Sequence, residues 1–313
     1  MGRAAVLLMG PTGAGKSDLA LRLVERFPLE IISVDSALVY RGMDIGTAKP
    51  SALLRARHTH HLIDIRDPAQ QYSAGEFVRD ALAAMQDIWS RGRLPLLVGG
   101  TMLYFHALTA GIADLPEADM QVRADIDAAA AANGWDAVHR TLAQVDPAAA
   151  ARIHSNDAQR IQRALEVYRV TGQRITDLQR ARHTPLADVN LQEIALIPGE
   201  RSQLHARIAE RFEAMLEQGL LDEVRGFFVR GDLTGEHPAM RAVGYRQIWE
   251  HLAGACSLEE AQHKALAATR QLAKRQLTWL RQRPRVAGFD CLHPDVAGSL
   301  VDALRKGIFA EWS

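Results

Sequence analysis

The chain has 313 residues, and its 37 Lys and Arg balance 37 Asp and Glu at zero formal net charge. That length suits two domains or one core with a large insertion, and 48% hydrophobic with 24% charged residues excludes disorder as the dominant state. No run approaches the roughly 20 apolar residues of a membrane span, and the two distant cysteines, Cys256 and Cys291, exclude a disulfide framework or a Cys-pair zinc site and suit a reducing cytoplasm.

The N-terminal apolar stretch is too short for a secretion signal, and Val6 breaks the myristoylation pattern. Ala5 to Met9 predicts a buried strand, followed by a Gly-rich turn and an amphipathic helix over Gly15 to Phe27. Glu30 to Val34 predicts a second strand ending in Asp35-Ser36, and Leu94 to Val98 a third ending in Gly99-Gly100-Thr101. Strands alternating with helices imply a parallel α/β sheet with ligands at the carboxyl ends of its strands. Over 116–198 the pattern turns helical, rich in Ala and Arg, until Leu191 to Ile197 resumes alternation. The expected organisation is a P-loop α/β core over 1–115 and 199–313, interrupted by a mainly helical insertion over 116–198. Helices are expected over Glu200 to Gln218, 239–252, and Ser257 to Arg283 with a stop at Pro284.

Gly10-Pro11-Thr12-Gly13-Ala14-Gly15-Lys16-Ser17 satisfies G-x-x-x-x-G-K-[ST] in full. Glycines let successive N–H groups turn toward a phosphate, Lys16 adds a point charge, and the Ser17 hydroxyl can ligand Mg2+. An unliganded Gly-rich turn is the competing reading, disfavoured by the strand before it and the helix after. An ATPase also wants an acidic residue after a second apolar strand, yet Val98 is followed by Gly99-Gly100-Thr101. Asp35 is the acid at a comparable strand end; it can serve Mg2+, cap a helix or act as a base, and spacing does not separate these. His58-Thr59-His60-His61 lacks a Cys pair or fourth ligand, so a structural or substrate-loop role is expected.

With these segments in view, the chain resembles the tRNA dimethylallyltransferases. Matching stretches are Ser33-Val34-Asp35-Ser36, Tyr40 to Pro50, His60 to Asp64, Gly99 to Tyr104, Arg152 to Arg160, Arg163 to Tyr168, Ala242 to Gln247, and Arg270 to Arg281. They span nearly the whole chain in the family's order. Departures are Gly13-Ala14 where Ala-Ser is common, Ser17 for Thr, and Ser155 for Pro; a zinc-finger extension is missing, which fits a bacterial type.

The resemblance implies transfer of a dimethylallyl group from dimethylallyl diphosphate to the amine of the adenosine just 3′ of the anticodon, in tRNAs reading codons that start with U. It makes residues 10–17 the diphosphate loop, Mg2+ the cofactor, Asp35 the base accepting the amine proton, and Thr101 a second active-site group near the target base. It places against the tRNA Asp35, Ser36, Ala37, Leu38, Thr101 and Arg123. The same holds for Gln159, Arg160, Ile161, Gln162 and Arg163, and for Met240, Arg241, Ala242, Val243, Gly244 and Tyr245. The last block is Lys274, Arg275, Gln276, Leu277, Thr278, Trp279, Leu280 and Arg281. A cytoplasmic monomer with no membrane association is expected. Taken alone, Thr101 would be an ordinary N-cap and Arg123 a solvated charge.

Charge patterning bears on the RNA expectation. Residues 111–151 hold seven acids against two Arg, 152–182 seven Arg against three acids, and 261–289 seven Lys or Arg with no acid. At 100° per residue, Arg270, Lys274 and Arg281 share one helix face, while Ala268, Leu272 and Trp279 share another, expected to meet a core. A helix capped by Ser155, Asn156 or Asp157 projects Arg160 and Arg163. A stacked adenosine cannot reach a buried Asp, so the base must be extruded, with donor and acceptor entering from different sides. The competing readings are a P-loop small-molecule kinase, which leaves the acid-free helix unexplained, and a nucleic-acid ATPase, which lacks the second acidic signature.

Overall fold

A computed structural model describes residues 3–113, 115–180, 184–283 and 286–310. Pro284, the expected helix stop, and Met1, Gly2, Asp114, Arg182 and Arg285 from the readings above lie outside the described residues.

The chain divides into two compact units, Met1–Phe105 with Asp188–Ser313, and His106–Ala187. The first opens with β1 (Ala4–Met9), α1 (Lys16–Val24), β2 (Leu29–Val34), α2 (Ala52–Arg57), β3 (His60–His61), α3 (Ala74–Ser90) and β4 (Leu94–Gly99). Helix α4 (Met102–Ala110) carries the chain into the second unit, which holds α5 (Met120–Asn133), α6 (Trp135–Val145), α7 (Pro147–Arg152), α8 (Ala158–Thr171) and α9 (Ile175–Arg180). The chain re-enters the first unit through β5 (Asn190–Ile197), α10 (Arg201–Glu217), α11 (Leu220–Phe228), α12 (Tyr245–Leu252), α13 (Leu258–Arg281), β6 (Ala287–Asp290) and α14 (Val296–Lys306).

Six parallel strands run in the order β3-β2-β4-β1-β5-β6. All residues of β1, β2 and β4 are buried, as expected of central parallel strands covered on both faces, and this explains their mainly apolar composition, with Glu30 and Ser33 as the buried polar exceptions in β2. Register decides what meets at the sheet edge. Met9 pairs with Gly99 across β1 and β4, and Gly99 pairs with Val34 across β4 and β2. The segments starting at Gly10, Asp35 and Gly100 therefore leave the sheet side by side, where a doubly wound sheet opens its crevice. The fold is the P-loop NTPase-like α/β arrangement.

The second unit encloses its own apolar cluster, including Ile126, Val138, Leu142, Ile161, Leu165 and Val167. Three of its helices start on side-chain caps, Asp119 on α5, Asp146 on α7 and Asp157 on α8. The expected insertion, 116–198, differs from this unit at both ends. Residues 190–197 form β5, which pairs with β1 and β6 and buries Ile194, Ala195 and Leu196, so they belong to the core sheet. The helix expected over 239–252 starts only at Tyr245, since Gly244 at φ 93° breaks propagation and 239–244 form turns. Short strands β3 and β6 and helix α14, which buries Leu300, Val301 and Leu304 on one face, were not anticipated. No helix among the described residues is long and apolar enough to cross a membrane.

Candidate active site

The 10–17 loop joins β1 to α1, and its shape follows from two glycines at positive φ. At Gly13 (φ +80°) an added Cβ would also meet the Ile208 and Leu204 side chains at 3.2 Å, so α10 packs directly against the loop. Helix α1 starts at Gly15 with no side-chain cap, which leaves its first N–H groups for an anion. Lys16 folds back and donates from Nζ to the carbonyls of Gly10 (3.0 Å) and Pro11 (2.7 Å). Burial lowers its pKa to about 8; the Asp35 carboxylate opposes that fall and the Arg211 guanidinium adds to it. The Ser17 side chain is exposed at the start of α1.

Asp35 leaves the end of β2 as expected. Its Oδ1 accepts from Ala37 N (2.8 Å) and Leu38 N (3.3 Å), which folds residues 35–38 into a tight Asx-type turn. Thr101, at the end of β4, accepts from Ser36 N at 3.0 Å through Oγ1. It thus ties the β2 and β4 exits together, while its carbonyl accepts from Tyr104 N (2.9 Å) and Phe105 N (3.4 Å) at the start of α4.

Gln276 of α13 comes from the far end of the sequence. Its Oε1 accepts from Thr12 N at 2.9 Å, and its Nε2 donates to Gly100 O at 2.8 Å. This buried amide is the physical link between the phosphate loop and the β4 exit.

These groups line one cavity of about 510 Å3 within the first unit. Thr12, Lys16, Ser17, Asp35, Ser36 and Thr101 form its polar side. Helix α10 contributes Ile208, Arg211, Phe212 and Met215, spaced as one helical face. Arg211 was not anticipated from the sequence. Its signal was a cation set within the apolar stripe Leu204, Ile208, Phe212 and Met215. Burial lowers its pKa, opposed by the charge of Asp35, and its guanidinium reaches Thr47 O at 3.5 Å. Four cationic side chains, Lys16, Arg211, Arg241 and Arg275, line this cavity, and among the described lining residues the acid is Asp35, an arrangement that favours a multiply charged anion.

Helix α13 corrects the expected faces. Its buried set is Ala261, Ala265, Ala273, Gln276, Leu277 and Leu280. Leu272 and Trp279, expected in the core, line the cavity beside Gln276, and Trp279 remains 39% exposed. The reason is angular: Leu272, Gln276 and Trp279 form one stripe, and the core stripe lies roughly 100° away at Ala273 and Leu280. Arg270, Lys274 and Arg281 do share a solvent face, around a smaller groove with Arg201 and His205.

The remaining expected RNA-facing residues divide by burial. Arg241, Lys274, Arg275, Thr278 and Arg281 are exposed, while Met240, Tyr245, Leu277 and Leu280 are buried and spend their side chains on packing. Ala242, Val243 and Gly244 lie along the cavity. In the second unit Gln159 and Arg160 are exposed, Gln162 is half-buried with a bond to Asp127 (2.6 Å), and Ile161 is buried. Arg123 and Arg163 converge on the fully buried Glu166, at 2.8 and 2.7 Å. Burial alone would raise the Glu166 pKa; the two guanidinium bonds outweigh it and hold the carboxyl below the usual range. In the His58–His61 segment, His61 bonds Glu30 at 2.9 Å, a structural contact.

Among the described residues no three His, Cys, Asp or Glu gather as a metal site. The oxygens lining the cavity at the loop include the Ser17 hydroxyl and, as the carboxylate, Asp35. Such a sparse, hard set fits Mg2+ that keeps its waters and is held mainly by a substrate's phosphates.

Comparison with known proteins agrees with this geometry. Residues 38–283 match the family model described as IPP transferase. A tRNA dimethylallyltransferase of Bordetella petrii is 56% identical over 306 residues, 96% of each chain. One from Thioalkalivibrio sulfidiphilus is 58% identical over 282 residues, 90% of this chain and 88% of that one. Among solved structures, a full-length tRNA isopentenylpyrophosphate transferase from Bacillus halodurans is 36% identical, with TM-score 0.70, covering 99% of this chain and 100% of its own. A eukaryotic dimethylallyltransferase, in a study of it acting on tRNA, gives TM-score 0.80 at 26% identity, covering 96% of this chain and 78% of its own. The chain belongs to the IPP transferase family, among the tRNA dimethylallyltransferases.

Proposed function

We propose that this protein transfers the dimethylallyl group of dimethylallyl diphosphate to the exocyclic amine of the adenosine just 3′ of a tRNA anticodon, releasing diphosphate. The observation that carries this reading is the single cavity in which Lys16 and Arg211 face Asp35 and Thr101. A diphosphate needs the cations, and an adenine amine needs a base, because its lone pair is delocalised into the ring. The names of the relatives point to the same reaction.

In the step itself, the adenine nitrogen attacks the allylic carbon as the carbon–oxygen bond to the diphosphate breaks. The amine proton passes to the Asp35 carboxylate. Negative charge growing on the leaving diphosphate is met by Lys16, Arg211 and the loop N–H groups. Mg2+ held by the Ser17 hydroxyl and the diphosphate would neutralise part of that charge when bound. Thr101 holds the Asp35–Leu38 turn against the β4 exit, so the base has a defined position. The adenosine is extruded from its stack to reach it. The exposed cations Arg160, Arg241, Lys274 and Arg281 supply contacts for RNA phosphates. A kinase reading draws no support from the β4 exit, where Gly99 to Thr101 offer no carboxylate.

Equilibrium binding tests the cavity assignment. Calorimetry with Mg2+ is expected to show dimethylallyl diphosphate binding more tightly than ATP, and loss of that binding in Lys16→Ala. Preferential binding of ATP would contradict the assignment.

A further inference from the structure

One wall of the cavity is held by a carboxylate that is not itself among the lining residues. Glu223, in the first turn of α11, accepts from three successive backbone amides: Asp44 N at 2.9 Å, Ile45 N at 2.7 Å and Gly46 N at 3.1 Å. It also accepts a short hydrogen bond from the Tyr245 hydroxyl. Burial and the charge of Glu223 push the Tyr245 pKa up, so its hydroxyl stays a donor. Consecutive N–H groups converging on one anion form a compact, charge-assisted clamp.

The clamp shapes the cavity directly. Gly46, Leu220 and Tyr245 all line it. An added Cβ at Gly46 would lie 2.5 Å from the Tyr245 ring and 2.8 Å from Leu220, so the wall is closed with no spare room. The same loop continues to Thr47, whose carbonyl receives the Arg211 guanidinium at 3.5 Å. It ends at Lys49, which donates to Tyr40 O (2.9 Å) and Asp44 Oδ1 (2.7 Å).

Helix α10 gives the wall a distance from the phosphate end. Ile208 abuts Gly13 of the phosphate loop, and Arg211, Phe212 and Met215 follow along the same face. From Arg211 to Met215 the helix advances about 6 Å, roughly one isoprene unit, and Met215, Leu220 and Tyr245 line the cavity on the side of the clamp.

We propose that Glu223 is a positioning residue that fixes this wall, aims Arg211 through Thr47, and thereby limits the donor to a single isoprene unit. This rests on the reaction proposed above. The test compares dimethylallyl and geranyl diphosphate as donors, with tRNA as acceptor, in the wild type, Glu223→Ala, Glu223→Gln and Tyr245→Phe, after thermal melting confirms folding. The wild type should strongly prefer the five-carbon donor. In Glu223→Ala the geranyl-to-dimethylallyl ratio of kcat/KM should rise about tenfold or more, with donor KM rising more than kcat falls. Glu223→Gln and Tyr245→Phe should shift the ratio the same way by less, and Glu223→Gln carries the test if the alanine variant does not fold. An unchanged ratio in folded variants, or a fall in kcat at constant donor KM, overturns the inference. A wild type inactive with dimethylallyl diphosphate would instead overturn the proposed reaction.

Discussion

Gln276 offers the sharpest quantitative test of how the site is assembled. Its buried amide satisfies Thr12 N and Gly100 O, two backbone groups from loops more than eighty residues apart in sequence. Gln276→Leu keeps a similar volume and strands both groups. Each stranded buried group costs about 1–3 kcal/mol, so the pair should cost about 2–4 kcal/mol, since a partly relaxed loop recovers some of it. Urea unfolding of the variant should show that loss as a lower midpoint at unchanged slope. Catalysis should suffer at the phosphate loop, with donor KM raised roughly tenfold, equivalent to about 1.4 kcal/mol. Gln271→Ala, at the exposed neighbouring position of α13, serves as the control and should change neither quantity. A Gln276→Leu protein within about 0.5 kcal/mol of wild type, with unaltered donor KM, would refute the linking role.

Four further outcomes follow from the site. Asp35→Asn keeps an oxygen for the Ala37 and Leu38 amides but loses the base, so turnover should fall about 10²- to 10⁴-fold while tRNA affinity holds; near-normal turnover removes the base assignment. Lys16, with a pKa lowered to about 8, is protonated below that value and neutral above it, so kcat/KM for the donor should be level at lower pH and decline as pH rises through about 8. A profile flat through the alkaline range would exclude Lys16 as the cation. Arg211→Gln should lower kcat/KM for the donor by roughly 10- to 150-fold, the cost of a lost charged hydrogen bond; tRNA affinity reports whether the loss is confined to the donor. Affinity for tRNA should fall steeply with salt in filter binding, whereas donor binding should depend chiefly on Mg2+.

What could be read from the sequence was what is local. The phosphate loop, the three buried strands and their polar exits are encoded in contiguous residues, and strand register then fixes Gly10, Asp35 and Thr101 as neighbours. The long-range parts were less legible. Arg211 and Glu223 sit within helices whose periodic patterns say only which side is apolar, and their roles depend on Thr47, Asp44, Ile45 and Gly46 being brought there by tertiary folding. Helix α13 shows the same limit. A two-face reading placed Leu272 and Trp279 in the core, yet the helix has three environments: core, cavity and solvent. Charge also had to be read segment by segment, because the zero net charge of the chain hides the acid-free run over 261–289.

The central claim is prenyl transfer to RNA without nucleotide hydrolysis. Incubating the protein with unmodified tRNA, dimethylallyl diphosphate and Mg2+, in the absence of ATP, and weighing the digested nucleosides measures it directly. The account predicts a dimethylallyl-adenosine arising from the nucleoside 3′ of the anticodon. Unchanged nucleosides, or a reaction that proceeds only when ATP is supplied, would contradict it.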